Sequence, residues 1–328
     1  MDQVRPAAPS GGGKERGGGK LPFRITAVTL ALATYCLLLL SRLIDASLLT
    51  RDNEYFGVVI LQIMIFLIPA FAYIRWKGDA LRSRLRLRPV RADHILLILG
   101  ALLALMGGSM LLQIAVGAAD PAASRFSLYD TFVSKNDGTA GNAAYLILAY
   151  AALPAFCEEL IFRGIFCAEY DRHGASCAAL MSMLFFTMLH FNLRNAPVYL
   201  FSALVLCAVM YATESVFAAM AVHFGYNLFG LFGVPYVTAV YTSMGRVWVL
   251  IFVLITMLLF GAAIFCGEAA RLYRGYATHG VPLGDGGGVN PAITRKESAV
   301  RFLRRLLTPQ SLICLALYLT VLIVRAVR

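Results

Sequence analysis

The sequence predicts an all-α protein, a polytopic transmembrane helical bundle of about eight or nine spans. Composition is the first reason. Of the 328 residues, 59% are hydrophobic and only 14% are charged, whereas soluble domains carry about 25% charged residues. The second reason is that apolar runs of roughly 20 residues, the length that crosses a bilayer as a helix, recur along the chain.

The spans are placed by apolar runs that have the length of a membrane helix and are bounded by polar or glycine-containing segments. They are expected at about residues 23–44, 56–75, 94–117, 143–166, 176–193, 196–213, 215–232, 247–267 and 311–327. The ninth run is short enough to be an interfacial or tail helix instead of a span.

The distribution of basic residues predicts the orientation. With the N-terminus inside, the cytosolic segments hold 21 of the 29 Lys and Arg residues: five in the N-terminal tail, seven in Arg75–Arg91, Arg163 and Arg172, and seven between Arg271 and Arg305. The positive-inside rule therefore favours a cytosolic N-terminus. The net charge of +11 fits basic segments that meet anionic lipids of the inner leaflet. No nucleic-acid motif is present.

Three polar motifs interrupt the apolar helices. In chain order they are Glu158-Glu159-x-x-x-Arg163, Phe186-x-x-x-His190 and His223-x-x-x-Asn227. An ionisable side chain at the bilayer centre costs at least a few kcal/mol, so such residues are rare and usually functional. Carboxylates, imidazoles and an amide together suit the activation of water and the polarisation of a carbonyl group.

The first two motifs are related by their distance from a turn. Gly174 lies in the only polar break between the fourth and fifth spans, and Glu158 and His190 each lie 16 residues from it. Antiparallel helices joined there would place the two residues at one depth, roughly 20–24 Å from the turn. A carboxylate opposite an imidazole is a water-activating pair. We also expect this site to face the cytosol.

A spacing of four residues places the members of each motif on one helix face. Asn227, with His223 orienting or donating beside it, can donate an N–H group to a developing oxyanion. Glu159 and Arg163 are expected to form a structural ion pair. Taken singly, each motif also fits ordinary helix packing, since ion pairs and interhelical hydrogen bonds are common in membranes. The other three histidines, His94, His173 and His279, are at loop positions and are expected to be solvated.

The three motifs, in this order on neighbouring spans, resemble those of the CPBP (Abi) family of intramembrane proteases. That family includes the type II CAAX prenyl endopeptidases and many bacterial members, and the resemblance covers about residues 143–232. It implies an intramembrane endopeptidase. The implied roles are general base for Glu158, holding or polarising the water for His190, oxyanion stabilisation for His223 and Asn227, and structural support for Glu159, Arg163 and Phe186.

The need for a metal ion is left open by the sequence, although catalysis without a cofactor is favoured. The usual helix-borne zinc signature, His-Glu-x-x-His, is absent. A zinc site made of Glu158, His190 and His223 would still match a known set of one carboxylate and two histidines.

The chain is therefore divided into four segments: a disordered cytosolic tail (1–22), N-terminal transmembrane helices (23–142), a CPBP-like catalytic core (143–232), and C-terminal transmembrane helices with a cytosolic amphipathic segment (233–328). The expected partners are a peptide or protein substrate at the membrane and anionic lipids, and the expected location is the bacterial plasma membrane. The alternatives are a non-catalytic scaffold or bacteriocin-immunity protein and, less favoured, a proton-coupled transporter.

Overall fold

The computed structural model describes residues 25–41, 54–119, 138–233, 236–237, 247–278 and 295–327. Helices make up the regular structure of these residues, and none of them lies in a strand. The all-α prediction is confirmed for this part of the chain. The predicted disordered tail (1–22) and most of the long loop before the fourth span lie outside the described residues.

Ten helices position the site, and we label them α1 to α10 in chain order. Their bounds are Ala27–Ser41 (α1), 54–77 (α2), Ile95–Ala119 (α3), Ala140–His173 (α4), Ala175–Leu189 (α5), Ala196–Thr213 (α6), Val216–Phe232 (α7), Val247–Thr278 (α8), Arg295–Leu306 (α9) and Pro309–Val327 (α10). Shorter helical turns at Asp79–Arg82 and Ala92–His94 lie between α2 and α3.

Six of these helices, α2, α3, α4, α6, α8 and α10, are long and apolar enough to cross a membrane. The chain is thus an integral membrane protein, as predicted. Helices α1, α5 and α7 are apolar but shorter, so length and composition support six spans and do not establish eight or nine. Three boundaries differ clearly from prediction: α4 continues to His173, α5 ends at Leu189 instead of residue 193, and α8 continues to Thr278 instead of ending at residue 267.

Helix α4 is one continuous helix that contains two π-helical segments, Leu148–Ala152 and Leu160–Phe166. Pro154 lies two residues after the first segment, and its missing amide hydrogen cannot complete an α-helical bond to the preceding turn. Single-turn π segments inside α-helices are often found at functional sites. The second π segment contains Arg163, one residue of the first polar motif.

Helices α3 and α8 pack closely along their length through glycines. A Cβ atom placed on Gly107 would lie only 2.7 Å from the carbonyl oxygen of Leu254, and one placed on Gly261 would overlap the backbone of Ala104. Small residues let membrane helices approach this closely because lipid supplies no hydrophobic force between them. This pair of helices forms a scaffold beside the site.

A buried ion network joins the α2–α3 connection to the ends of α4 and α6. The Arg86 guanidinium donates to Asp171 at 2.5 Å and to Glu214 at 2.8 Å. The Tyr211 hydroxyl donates to the second oxygen of Asp171 at 2.6 Å. All three charged side chains are buried. The network fixes the basic connection against the Gly174 turn.

The other basic segments meet at the same end of the bundle. Arg271 of α8 donates to the carbonyl oxygen of Asp93 at 2.6 Å. Ser298 of α9 accepts a hydrogen bond from the amide of Cys177 at 2.9 Å, and so attaches the amphipathic helix to the start of α5. We call this end, with the 78–91 connection, the Gly174 turn and α9, the basic end.

Candidate active site

The candidate site lies where α4, α5, α6 and α7 meet. Gly174, with a φ of 103° that suits glycine, joins α4 to α5 in an antiparallel hairpin. Phe162 and Phe186 each lie 12 residues from Gly174, and their rings meet edge to face with centroids 5.5 Å apart. This contact fits the register expected for Glu158 and His190, which are each four residues farther from the turn.

Glu159 and Arg163 form the ion pair expected from their spacing. The guanidinium Nη1 atom lies 2.9 Å from Glu159 Oε1, and both side chains are completely buried. Arg163 also donates to the carbonyl oxygen of Ala203 at 3.4 Å and lies over the ring of Phe186, 4.3 Å from its centroid. The pair therefore ties α4 to α5 and α6.

His223 contacts the same carboxylate oxygen. Its Nδ1 atom lies 2.8 Å from Glu159 Oε1. Since an ionised carboxylate can only accept, we assign the hydrogen to Nδ1, and Nε2 is left to bind a proton or a substrate group. Sequence reasoning gave Glu159 only a supporting role beside Arg163. The structure gives it a second one, because it orients the imidazole of α7.

His190 lies at the end of α5, where it is the C-cap residue. Its Nδ1 atom is 3.0 Å from the carbonyl oxygen of Phe186. A carbonyl oxygen only accepts, so Nδ1 carries the hydrogen and the Nε2 lone pair is available. Both site histidines are thus held through Nδ1, which leaves Nε2 for contacts with water or substrate.

Tyr199 is a site residue that sequence reasoning missed. Its ring stacks on His190 with a centroid separation of 3.8 Å and an interplanar angle of 19°, while Phe186 packs on His190 at 5.1 Å. The imidazole is therefore held between two aromatic rings. The only signal in the sequence is an aromatic residue one turn into the helix that follows the second motif.

The turn after His190 is fixed by residues far away in the chain. Phe191 is buried and has a φ of 46°, a value that is uncommon for a bulky residue. Arg325 of α10 donates to the Phe191 carbonyl oxygen at 2.5 Å. Tyr35 of α1 donates to the carbonyl oxygen of Phe185 at 2.5 Å. The first and last helices thereby hold the end of α5 in place.

Asn227 lies beside the first π segment of α4. Its amide nitrogen donates to the carbonyl oxygen of Ala151 at 3.3 Å, and Gln62 of α2 donates to that of Ala149 at 2.9 Å. These side chains satisfy carbonyl groups of the π segment. An asparagine amide has two hydrogens, so one remains for the oxyanion role expected from sequence.

Glu158 differs from its neighbour in having no ion pair within the described part of the chain. Its side chain is half-buried. Its Oε2 atom is buried without a hydrogen-bond partner among these residues, as is Oε2 of Glu159, so the two carboxylates differ in their ion pairs and not in this atom. Its charge interacts with His223, Glu159 and Arg163. Of the two adjacent carboxylates, Glu158 is therefore the one that is free to accept a proton.

The sequence left open whether a metal ion is bound at this site. Among the described residues, no group of three His, Cys, Asp or Glu side chains could hold a metal ion. The zinc set considered from sequence, Glu158 with His190 and His223, is not among such groups, and catalysis without a metal stays a prediction.

Residues 140–229 match the family described as type II CAAX prenyl endopeptidase Rce1-like. The match runs from the first turn of α4 to the last turn of α7 and includes all three polar motifs. It agrees with the resemblance to the CPBP family. No curated protein and no solved structure matches the chain. The match and the apolar helices together support a membrane endopeptidase, which is a hydrolase, in general terms.

Proposed function

We propose that the protein is an intramembrane endopeptidase that hydrolyses a peptide bond with water activated by Glu158. The observation that carries this proposal is that two adjacent carboxylates differ in their ion pairs. Glu159 is neutralised by Arg163 and His223, whereas Glu158 has no ion pair among the described residues. A general base needs a lone pair that no permanent partner occupies.

In the proposed reaction, Glu158 removes one proton from a water molecule whose second hydrogen is held by Nε2 of His190. The water oxygen attacks the carbonyl carbon of the scissile bond. The resulting oxyanion is stabilised by the second amide hydrogen of Asn227 and by His223 when its Nε2 is protonated. The proton on Glu158 then passes to the leaving nitrogen, so that the products are a carboxylic acid and an amine.

Glu159 supports this chemistry through His223. A carboxylate on Nδ1 stabilises the positive charge that appears when Nε2 is protonated, as in catalytic carboxylate–histidine pairs. His223 Nδ1 lies 2.8 Å from Glu159 Oε1, so the carboxylate can stabilise this charge directly. Glu159 is thus proposed as a positioning residue, and the reaction as written needs no metal ion.

The role of Glu158 distinguishes the protease from two other functions. A scaffold or bacteriocin-immunity protein would use the polar cluster only for packing, and a proton-coupled transporter would use Glu158 and His190 as a relay. For the protease, the matching family's printed name suggests prenylated C-terminal tails as one substrate class. The proposal also includes other peptide or protein substrates at the membrane.

The test compares newly formed peptide termini in membranes that contain the wild type or Glu158→Gln at matched levels. Asp79→Asn is the control, because it makes the same carboxylate-to-amide change on an exposed side chain at the basic end. We expect termini that are present with the wild type and the control and absent with Glu158→Gln. Identical termini in all three, with all three folded, would reject the protease and favour the scaffold.

A further inference from the structure

Helix α9 lies with one face against the connection between α4 and α5. The buried hydroxyl of Ser298 accepts a hydrogen bond from the amide of Cys177 at 2.9 Å and donates one to the carbonyl oxygen of His173 at 3.5 Å. Arg301 and Arg305 follow Ser298 by three and seven residues, a spacing that places them on the same helix face. Both are half-buried. Two arginines of α9 therefore face the end of α4.

A third arginine comes from the end of α4 itself. Arg172 directly precedes His173 and is exposed. Its charge, and the charges of Arg301 and Arg305, all act on the imidazole of His173. The three arginines thus converge on one imidazole from two separate helices, and we call Arg172, Arg301 and Arg305 the arginine cluster.

The acidic side chains at the end of α4 already have other partners. Glu169 accepts from the hydroxyl of Tyr73 and lies 3.7 Å from Lys77. Asp171 lies 2.5 Å from Arg86. Within the described part of the chain, none of the three clustered arginines forms an ion pair. Like charges at close range repel each other, so binding of an anion between them would be favourable.

His173 supplies a second observation that points to a ligand. Its Nε2 atom is buried and has no hydrogen-bond partner among the described residues, although a buried polar atom normally has one. A phosphate group has several acceptor oxygens and forms bidentate pairs with arginine. It can therefore accept from the arginine cluster and, when Nε2 of His173 carries a hydrogen, from this atom as well.

The outward face of α9 indicates the source of the phosphate. Val300 and Leu303 of this helix, and Leu307 directly after it, are spaced by three and four residues and are 44%, 54% and 68% exposed. They lead into α10, which is long and apolar enough to span the membrane. A helix with a basic face and an apolar face lies in the membrane interface, with its apolar side chains among the lipids. A phosphate at the arginine cluster is then part of a lipid headgroup.

We propose that the arginine cluster, together with Nε2 of His173, binds the phosphate group of an anionic phospholipid. Anionic lipids are enriched in the cytoplasmic leaflet, where the positive-inside rule places the basic end. The sequence predicted anionic lipids as partners in general, and the proposal gives them one binding position. A lipid bound there joins α9 to the turn between α4 and α5. The proposal does not depend on the protease function.

The test is native mass spectrometry of the chain in a neutral detergent while phosphatidylglycerol is added. Phosphatidylcholine, which carries a phosphate but no net charge, is the control lipid, and inorganic phosphate is the competitor. The quantity compared is the dissociation constant of the first bound lipid. We expect phosphatidylglycerol to bind at least about tenfold more tightly than phosphatidylcholine, because an arginine cluster favours a net negative charge.

Arg301→Gln combined with Arg305→Gln removes two members of the cluster. The matched control is Lys296→Gln combined with Arg304→Gln, which removes the same charge from exposed positions of the same helix. The first pair should weaken phosphatidylglycerol binding at least about tenfold, because each substitution removes a charge-assisted contact with the phosphate. The control pair should weaken it less than about threefold, because solvent screens exposed charges.

Arg172→Gln tests the site from α4 at an exposed position, where a substitution changes stability little. It should weaken binding about threefold or more, and it decides the question if the first pair does not fold. Equal losses in the two pairs, full binding by Arg172→Gln, or equal binding of the two lipids would each overturn the proposal. Displacement of phosphatidylglycerol by inorganic phosphate at a similar concentration would show that the site takes free phosphate, and would overturn the assignment to a lipid.

Discussion

The Nδ1 atom of His223 lies 2.8 Å from Oε1 of Glu159, the same oxygen that accepts from Arg163 at 2.9 Å. One carboxylate oxygen therefore serves both a permanent cation and an imidazole from another helix. This shared contact gives Glu159 and Glu158 different roles although they are adjacent in the chain. Neighbouring residues of a helix point about 100° apart, so only one of the two faces inward to Arg163.

Changing Glu159 to Gln should destabilise the protein and also slow peptide-bond hydrolysis. The substitution leaves Arg163 buried without a counter-charge, which typically costs about 3–5 kcal/mol. Thermal unfolding in detergent micelles measures this loss. Glu158→Gln is the matched control, and we expect its unfolding temperature to stay close to that of the wild type because Glu158 has no ion pair in the described residues. Equal unfolding temperatures for both variants would contradict the division of roles.

Replacing Tyr199 should reduce turnover through the position of His190. An aromatic pair contributes about 0.5–1.5 kcal/mol beyond buried area, which corresponds to a loss of roughly 2–12-fold in rate for Tyr199→Ala. Tyr199→Phe keeps the stacked ring and should retain nearly the full rate. The measurement is kcat and KM on a substrate found by the terminus comparison. A loss in Tyr199→Phe equal to that in Tyr199→Ala would show that the hydroxyl group matters instead.

The close packing of α3 against α8 should be disrupted by one added methyl group. Gly261→Ala places a Cβ atom against the backbone of Ala104, and overpacking of this kind typically costs about 1–3 kcal/mol. Gly267→Ala is the control on the same helix, since a Cβ atom there meets nothing within 4 Å. Yield and monodispersity after extraction, followed by thermal unfolding, compare the two. Equal behaviour would mean that α8 can shift away from α3.

Removing Arg86 should destabilise the basic end at any pH near neutrality. Burial alone would lower the pKa of Arg86, but Asp171 and Glu214 raise it above its ordinary value. A group with a raised pKa stabilises the fold below its ordinary pKa and loses this effect only as the pH rises through the folded value. Arginine is already charged throughout the accessible range, so its contribution should not vary between about pH 6 and 9.

The test of this ion network is Arg86→Met, which strands Asp171 and Glu214 and should cost about 3–5 kcal/mol. Arg88→Ala, at an exposed neighbouring position, is the control and should be close to neutral. Unfolding midpoints are compared at two pH values. A midpoint loss that disappears at one of them would contradict the assignment to Arg86.

Metal chelation should leave proteolysis unchanged. The proposed reaction uses Glu158 as the base, and no group of three suitable side chains in the described residues could hold a metal ion. The measurement is turnover after a zinc chelator and after its removal, with a known zinc protease as the control. If turnover is lost on chelation and restored by added zinc, the proposal is contradicted. Glu158, His190 and His223 would then be the candidate zinc ligands.

The sequence alone determined where most of the helices lie and which polar residues interrupt them. Apolar runs placed nine helices to within a few residues at most ends, because burial in lipid requires continuous apolar length. The spacing of Glu159 and Arg163 identified their ion pair, and the distances from Gly174 gave the register of α4 against α5. These features are local, or depend on a single turn.

Tertiary structure decided which faces meet. His94, expected to be solvated, is buried, so that prediction was wrong. His223 pairs with Glu159 and Tyr199 stacks on His190, and neither contact follows from spacing along the chain. The physical reason is that lipid is as apolar as a leucine side chain, so hydrophobicity marks a membrane helix without showing which face packs inward. Only the packed bundle fixes those faces and the end of α5.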